Sequence, residues 1–130
     1  MNRRGNNRKK ILLVEDEQVI GRLFKRILNA EGFEVDFVQD GRIAIEAVNK
    51  NHYDLCVSDI RLPGMTGIQL YERLKEKHPQ LSLHMIFITG DTMNANIQLF
   101  LQDSGMPCLV KPFNPEDLVA TVRESLKVKA

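Results

Sequence analysis

Four short apolar runs in this chain each lead directly into residues with a charged or hydroxyl side chain. Residues 11–14 precede Glu15 and Asp16, residues 53–58 precede Asp59, residues 85–88 precede Thr89, and residues 109–110 precede Lys111. Short apolar runs of this kind are typical of strands buried in a parallel sheet. Because parallel strands end at one edge, we expect three carboxylates, a hydroxyl and an ammonium to share a small volume. Such a cluster predicts a binding site for a divalent cation and a phosphoryl group.

Segments with helical periodicity separate these runs. The first such segment ends at Gly32, ahead of a short second strand at residues 33–38. The fourth helix is predicted over about residues 93–103. The last has the clearest start, because Asn114 can cap it and Pro115 suits the first helical position. Five strands alternating with five helices predict an α/β fold, in which helices cover both faces of a parallel sheet.

The order of the strands decides whether the charged residues meet. Right-handed crossovers restrict the topology, and the sheet order 2-1-3-4-5 makes the first and third strands neighbours at the point where the winding reverses. Ligands bind beyond the carboxyl ends of the strands at such a point. Asp16 and Asp59 follow those two strands, so this order predicts that their carboxylates lie side by side.

Length and charge describe one domain with a basic leader. The 130 residues carry a formal net charge of +1. Five of the 18 Lys and Arg residues fall within positions 3–10, which leaves 13 against 17 Asp and Glu residues in the body. We therefore predict a flexible leader at residues 1–8 and a folded domain at residues 9–129. A solvated leader is expected, and we predict no direct binding of nucleic acid by this domain.

Two further observations concern the compartment. No apolar run approaches the roughly 20 residues that a membrane span requires, so no contact with a membrane is predicted. Cys56 and Cys108 fall on the predicted third and fifth strands, with another strand between them, which puts them beyond disulfide reach. Two buried free thiols suit a reducing environment, and we predict a cytoplasmic location.

The predicted cluster has a chemical consequence. Two carboxylates about 4 Å apart repel each other by roughly 4 kcal/mol at an effective dielectric of 20. Three of them need either raised pKa values or a cation, and all-oxygen ligands favour Mg²⁺. A carboxylate can also attack phosphorus to give an acyl phosphate. The charge on the transferred group calls for donors around its oxygens, which Lys111, Thr89 and the backbone N–H groups after Asp59 can supply.

Four segments, in this order and at this spacing, carry a family resemblance: LLVEDE at 12–17, VSDIRLPGMTG at 57–67, FITG at 87–90 and CLVKPF at 108–113. Over about residues 9–129 the chain resembles the receiver domain of two-component response regulators. The resemblance implies a flavodoxin-like (βα)5 fold. It also implies a signalling domain, not an enzyme, which accepts a phosphoryl group and assists its own phosphorylation and dephosphorylation.

The resemblance assigns roles within the predicted cluster. Asp59 is implied as the acceptor of phosphate from a sensor histidine kinase or a phosphotransfer protein. Asp16 and Asp59 are implied as direct Mg²⁺ ligands, with the backbone carbonyl of Arg61 as third protein ligand and Glu15 holding the ion through water. Thr89 is similar to the hydroxyl that moves to the phosphate.

The fifth strand and the loop after it carry the remaining implied roles. Lys111 is similar to the lysine that contacts the phosphate, and the bond before Pro112 is usually cis in this family. At position 108 the family often has an aromatic residue, and here Cys108 stands there. We expect the signal to rely on the fourth helix and its loop, with a simple core cysteine as the alternative.

Arg61 and Asp91 each lie two positions beyond a site residue. In the family such positions tune the lifetime of the phosphate, and we expect the two side chains to pair across the mouth of the site and hinder attacking water. Two independent surface charges are the alternative. In the fourth helix most of the apolar residues Ile97, Leu99, Phe100 and Leu101 should be core. One or two of them can join the fifth strand and fifth helix in an output surface, whose partner or domain the sequence leaves unknown.

Two other functions compete with this interpretation. A metal-dependent phosphohydrolase of haloacid-dehalogenase type also uses an aspartate nucleophile, but it needs a second Asp two residues later, where this chain has Arg61. A degenerate receiver used only for binding conflicts with the complete acidic set. We expect a stand-alone receiver or a part of a larger regulator or hybrid kinase.

Overall fold

The computed structural model describes residues 8–91 and 93–127. The five strands are β1 (Lys10–Val14), β2 (Glu34–Val38), β3 (Leu55–Asp59), β4 (Met85–Thr89) and β5 (Cys108–Val110). The five main helices are α1 (Gln18–Ala30), α2 (Gly41–Lys50), α3 (Gly67–Lys77), α4 (Ala95–Ser104) and α5 (Pro115–Lys127). One helical turn, Pro79–Ser82, follows α3. The predicted leader at residues 1–8 lies outside the described residues except for Arg8.

The five strands form one parallel sheet in the order β2-β1-β3-β4-β5. The predicted order is therefore confirmed, and β1 and β3 are hydrogen-bonded neighbours. Their register pairs Val14 with Ser58, and β3 and β4 pair Asp59 with Ile88. The carboxyl ends of β1, β3 and β4 consequently lie next to one another along a single edge.

Apolar clusters cover both faces of the sheet. Leu12 faces a cluster that includes residues of α2, α3 and α4, whereas the next residue, Leu13, faces a second cluster with residues of α1 and α5. This alternation follows from the two-residue period of a strand. Every residue of β3 and β4 is buried, which explains why these strands are continuous apolar runs in the sequence.

The ends of some elements differ from the predicted ones. α4 begins at Ala95 and not at Met93, because the side chain of Asn94 caps the helix by accepting a hydrogen bond from the Ile97 backbone N–H at 3.1 Å. The helical turn Pro79–Ser82 was not predicted. Pro79 correctly indicated the end of α3, but proline also suits the first position of a new helical turn, and that turn follows here.

Two observations bear on the predicted environment. Cys56 is buried, but Cys108 is only partly buried, so the prediction of two buried thiols was wrong for Cys108. It lies at the start of β5, a three-residue edge strand. Within the described ranges, none of the helices combines the length and the apolar character that a membrane crossing needs.

Candidate functional site

The three predicted carboxylates meet at the carboxyl edge of the sheet. Asp59 ends β3, and Glu15 and Asp16 follow β1 directly. Oxygen atoms of all three carboxylates lie within 4.8 Å of one another. Glu15 is fully buried and Asp59 is 5% exposed, whereas Asp16 faces solvent. The cluster is therefore a cleft with buried acidic walls and one acidic group at its rim.

Lys111 brings an ammonium into this cleft. Its Nζ lies 2.9 Å from Oδ2 of Asp59 and 3.8 Å from Oε1 of Glu15. Its backbone N–H donates to the carbonyl oxygen of Thr89 at 2.8 Å, which continues the pairing of β5 with β4. The peptide bond between Lys111 and Pro112 is cis, as the resemblance implied. Partial burial alone would lower the pKa of Lys111, but the hydrogen bond and charge of Asp59 and the charge of Glu15 together raise it.

Glu15 has the most perturbed acid–base behaviour in this cleft. Burial is the largest influence and raises the pKa of Glu15 to about 7, because the charged form loses its hydration. The backbone N–H of Glu17 lowers it and the Asp59 carboxylate raises it again, with smaller opposed contributions from Lys111 and Asp16. The N–H of Glu17 donates to Oε2 at 3.1 Å. Oε1 has no hydrogen-bond partner in the described part of the chain.

These features fit a bound cation. A buried oxygen without a hydrogen bond is unfavourable in a folded protein, and the charge of Lys111 does not balance three carboxylates. A hard divalent ion with oxygen ligands would relieve both problems at once, and Mg²⁺ also leaves coordination positions for phosphate oxygens. The site chemistry of Glu15, Asp16 and Asp59 therefore fits the predicted Mg²⁺.

The loop between β3 and α3 holds the second oxygen of Asp59. The backbone N–H of Arg61 donates to Oδ1 of Asp59 at 3.0 Å, so each oxygen of this carboxylate has a donor. The role predicted for the Arg61 carbonyl stays a prediction.

Gly67, the first residue of α3, is a residue of the site that the sequence analysis missed. Its N–H donates to the Ile60 carbonyl at 2.9 Å, and a Cβ built on Gly67 would lie 2.5 Å from the carbonyl oxygen of Asp59. Only glycine allows this close approach of α3 to the end of β3. The signal was present in the sequence, because Thr66 precedes Gly67 and forms a capping box with Gln69.

The loop between β4 and α4 lies on the other side of Asp59. Thr89 is buried, and its Oγ1 accepts a hydrogen bond from the Asp91 backbone N–H at 3.0 Å. The Asp91 carboxylate accepts a hydrogen bond from the Arg61 guanidinium at 2.5 Å. The predicted pairing of Arg61 and Asp91 is therefore present in the structure, and its effect on water stays a prediction.

The predicted output surface is partly apolar. Leu99 of α4 is 58% exposed and Val110 of β5 is 45% exposed, whereas Ile97 is buried. Phe100 and Cys108 both pack against the apolar cluster under α4. The ring of Phe100 meets those of Tyr71 and Phe87 edge to face, at centroid distances of 5.5 and 5.1 Å. Most of the apolar residues of α4 are thus at least partly buried, as predicted.

Comparison with known proteins agrees with this geometry. Residues 11–123 match the family model described as "Response regulator receiver domain". The "DNA-binding response regulator MtrA" of Mycobacterium tuberculosis is 32% identical over 120 residues, which cover 92% of this chain and 51% of the relative. The "Transcriptional regulatory protein SrrA" of Staphylococcus aureus is 35% identical over 117 residues, which cover 90% and 47%. The chain spans about half the length of these curated relatives.

Solved structures give the same result. The chemotaxis response regulator CheY4 of Vibrio cholerae superposes with a TM-score of 0.82 at 30% identity, covering 92% of this chain and all of that chain. A CheY-like receiver domain protein of Methanospirillum hungatei gives a TM-score of 0.85 at 30% identity, covering 93% and 95%. These matches do not favour the phosphohydrolase alternative. That alternative also needs an acidic residue two positions after Asp59, where this chain has Arg61. The chain belongs to the response regulator receiver domain family.

Proposed function

We propose that this receiver domain accepts a phosphoryl group on Asp59 from a phosphohistidine of a sensor histidine kinase or a phosphotransfer protein, with Mg²⁺ as cofactor. The observation that carries the proposal is the setting of the Asp59 carboxylate. It is nearly buried, lies within 4.8 Å of two other carboxylates, and accepts a hydrogen bond on each oxygen, from Lys111 and from the Arg61 backbone. The free thiols of Cys56 and Cys108 suit a reaction in the reducing cytoplasm.

The transfer needs few parts from the protein. An oxygen of Asp59 forms a bond to phosphorus while the bond from phosphorus to the donor imidazole nitrogen breaks. The electron pair of the broken bond stays on that nitrogen, which then takes up a proton. Lys111 and the Thr89 hydroxyl supply positive charge and a donor to the phosphoryl oxygens, where negative charge accumulates. The assisted dephosphorylation that we also propose uses the same groups.

The acidic residues hold the cofactor in this proposal. Asp16, Asp59 and the backbone carbonyl of Arg61 would bind the ion directly, and Glu15 would hold it through water. The bound ion would neutralise the carboxylates and add positive charge beside the transferring group. Support comes from Oε1 of Glu15, a buried oxygen for which residues 8–91 and 93–127 provide no hydrogen-bond donor.

The signal leaves through the surface formed by α4, β5 and α5. Phosphorylation favours the state in which Thr89 and Lys111 contact the phosphate, and so shifts an equilibrium that already exists. The exposed side chains of Leu99 and Val110 lie on this surface and are available to an output partner or domain. Cys108 leaves space where related chains often have a ring, so α4 carries the change.

Arg61 and Asp91 tune the lifetime of the phosphate. Their ion pair joins the loops on either side of Asp59 and therefore narrows the approach of water to the phosphoryl group. The guanidinium is 69% exposed, so the pair adds little to stability. The pair therefore acts on the access of water to the phosphoryl group.

The decisive experiment is phosphorylation by a small-molecule phosphodonor in the presence of Mg²⁺. Intact-mass measurement should detect one added phosphoryl group on the wild type and none on Asp59→Asn. As a matched control, Asp103→Asn makes the same change at an exposed position of α4 and should be labelled like the wild type. Stable, undiminished labelling of Asp59→Asn, with its thermal unfolding intact, would mean that another residue is the acceptor.

A further inference from the structure

A pair of aromatic rings joins helix α1 to the loop that carries Lys111. Phe24 of α1 stacks on Phe113, two residues after Lys111, with ring centroids 5.3 Å apart and an interplanar angle of 29°. α1 begins at Gln18, directly after the acidic loop that holds Glu15. The stack therefore connects the helix that follows the acidic loop to the segment that carries the lysine.

The segment that carries Lys111 is fixed at both of its ends. On one side, the Lys111 backbone N–H bonds to the Thr89 carbonyl. On the other, Asn114 caps α5 by accepting a hydrogen bond from the Asp117 N–H at 2.9 Å. Between these points stand only Pro112 and Phe113. The Phe113 ring is the side chain of this short stretch that packs against the apolar cluster between the sheet, α1 and α5.

The placement of the ammonium depends on this segment. Lys111 Nζ reaches Asp59 at 2.9 Å and Glu15 at 3.8 Å, so a small shift of its backbone relative to α1 would change both distances. Catalytic groups lose much of their effect when they are misplaced by about 1 Å. Offset rings stabilise their partners beyond simple burial.

Resting on the proposed function above, we infer that Phe24 and Phe113 are positioning residues for Lys111. Their stack holds the lysine segment against α1 and so keeps the ammonium at the acceptor carboxylate. The alternative is that the rings only stabilise the contact between α1 and α5.

Two measurements separate these roles. The first is the rate at which the Lys111 amine is acylated in a brief pulse of acetic anhydride, read by peptide mass spectrometry against exposed Lys50. A hydrogen-bonded ammonium reacts slowly, so Phe113→Leu and Phe24→Leu should each raise the relative rate of acylation about three- to tenfold. This is less than the full value of a hydrogen bond to a charged group, because the substitutions loosen the segment without removing either partner. The second is the phosphorylation rate with the small phosphodonor, which should fall by a similar factor. Phe113→Tyr keeps the ring and should behave like the wild type in both.

The control is Phe33→Leu. Phe33 belongs to the same apolar cluster and is more buried, but it precedes β2 at the opposite edge of the sheet. This variant should lower the melting temperature without changing either rate. If the Phe24 and Phe113 variants behave in the same way, the positioning role is overturned. Should Phe113→Leu not fold, Phe24→Leu removes the same stack from the other side and decides the matter.

Failure of this inference differs from failure of the proposed function. A wild-type protein that the phosphodonor does not label would overturn phosphoryl acceptance. The acylation of Lys111 needs neither phosphate nor metal, so it would still report whether the rings hold the lysine. Combining the two Leu substitutions adds a last check, because residues that act through one contact should give a double variant no more reactive at Lys111 than the stronger single variant.

Discussion

The two edges of the sheet differ in how completely their charged side chains are paired. On the amino-terminal side lies the amino-edge cluster of Lys10, Glu34, Asp36, Tyr53 and Asp54. We call this the matched edge, because each of its carboxylates has a partner. Lys10 Nζ lies 3.8 Å from Asp36 and 3.9 Å from Glu34, the Lys10 backbone N–H donates to Asp54 at 2.8 Å, and the Tyr53 hydroxyl donates to Asp36 at 2.6 Å. Each of these carboxylates has a donor or a cation within the cluster.

On the carboxyl side the hydrogen bonding is incomplete, and we call this the unmatched edge. Three carboxylates lie together, Lys111 contacts two of them, and a buried oxygen of Glu15 has no hydrogen bond among the described residues. Each edge sets one lysine against three carboxylates, so the number of charges does not explain the difference. Glu34 and Asp36 remain about half exposed, whereas Glu15 is fully buried. Contacts at the matched edge hold neighbouring strands together. At the unmatched edge the carboxylates repel one another, and a cation and a phosphoryl group can relieve that repulsion. Stability and function should therefore respond to mutation at different edges.

The largest expected effect comes from removing the ammonium at the unmatched edge. Lys111→Met should slow phosphorylation by a small phosphodonor by about 10²-fold or more, the usual loss when one positioned donor is removed from a transition state. The rate can be followed by intact mass. Lys77→Met, the same change at an exposed position of α3, should keep the wild-type rate. Equal rates for the two variants would exclude Lys111 from the transfer.

The next largest effect concerns the Mg²⁺ ion that we propose for the unmatched edge. Mg²⁺ at about 100 times its dissociation constant should stabilise the fold by on the order of 2–3 kcal/mol, visible as a higher melting temperature. Burial and nearby carboxylates raise the pKa of Glu15 to about 7. The metal-free fold therefore loses stability as the pH rises from the ordinary Glu range through 7.

Mg²⁺ relieves that loss, so the gain in melting temperature should be larger at pH 8 than at pH 6. Asp16→Asn should remove most of the gain, whereas Asp54→Asn in the amino-edge cluster should lower the melting temperature and leave the gain intact. A wild-type protein whose melting temperature ignores millimolar Mg²⁺ at pH 8 would contradict the ion site.

A smaller effect is expected at the matched edge. Tyr53→Phe removes the hydroxyl that donates to Asp36 and should lower the free energy of unfolding by about 1 kcal/mol, a typical value for one hydrogen bond. Phosphorylation should not change, because the site lies at the other edge. Urea unfolding of this variant, of Asp36→Asn and of the double variant gives the coupling between the two side chains. A slower phosphorylation of Tyr53→Phe would break the separation between the edges.

Much of this arrangement was predictable, because each strand of the fold corresponds to a short apolar run in the sequence. Buried parallel strands leave continuous apolar runs, and the residue that ends each run lies at a known edge. The meeting of Asp16 and Asp59 therefore followed from the strand order, which the structure confirms. The cap at Asn94 and the extra turn at Pro79–Ser82 were missed because local hydrogen bonds set helix ends.

Features that depend on three-dimensional packing escaped the sequence analysis. The close approach of Gly67 to the Asp59 carbonyl depends on how the loop before α3 folds back, and the stack of Phe24 on Phe113 joins residues far apart in the chain. The partial exposure of Cys108 was missed for a related reason, since an edge strand of three residues is not covered like the central strands. A pattern of apolar residues places side chains on a face, but it does not specify which of them touch.

The smallest expected effect concerns the exposed ion pair beside the unmatched edge. Arg61 and Asp91 join the loops on either side of Asp59. Exposed pairs contribute about 0–1 kcal/mol, so Arg61→Ala and Asp91→Ala should leave the melting temperature nearly unchanged. Each should shorten the lifetime of the phosphorylated protein by no more than about fivefold, the factor that corresponds to such an energy. Loss of the label with time, after the phosphodonor has been removed, measures this lifetime.

The double variant decides whether the two side chains act as one barrier to water. If the ion pair is what hinders attack, removing either partner already opens the approach, and the double variant should lose phosphate no faster than the faster single variant. Additive effects would mean two independent charges. Arg73→Ala, which removes an exposed arginine from α3, controls for the change in net charge and should keep the wild-type lifetime. A lower melting temperature in the Arg61 and Asp91 variants would instead show that the pair stabilises the fold, as the contacts of the amino-edge cluster do.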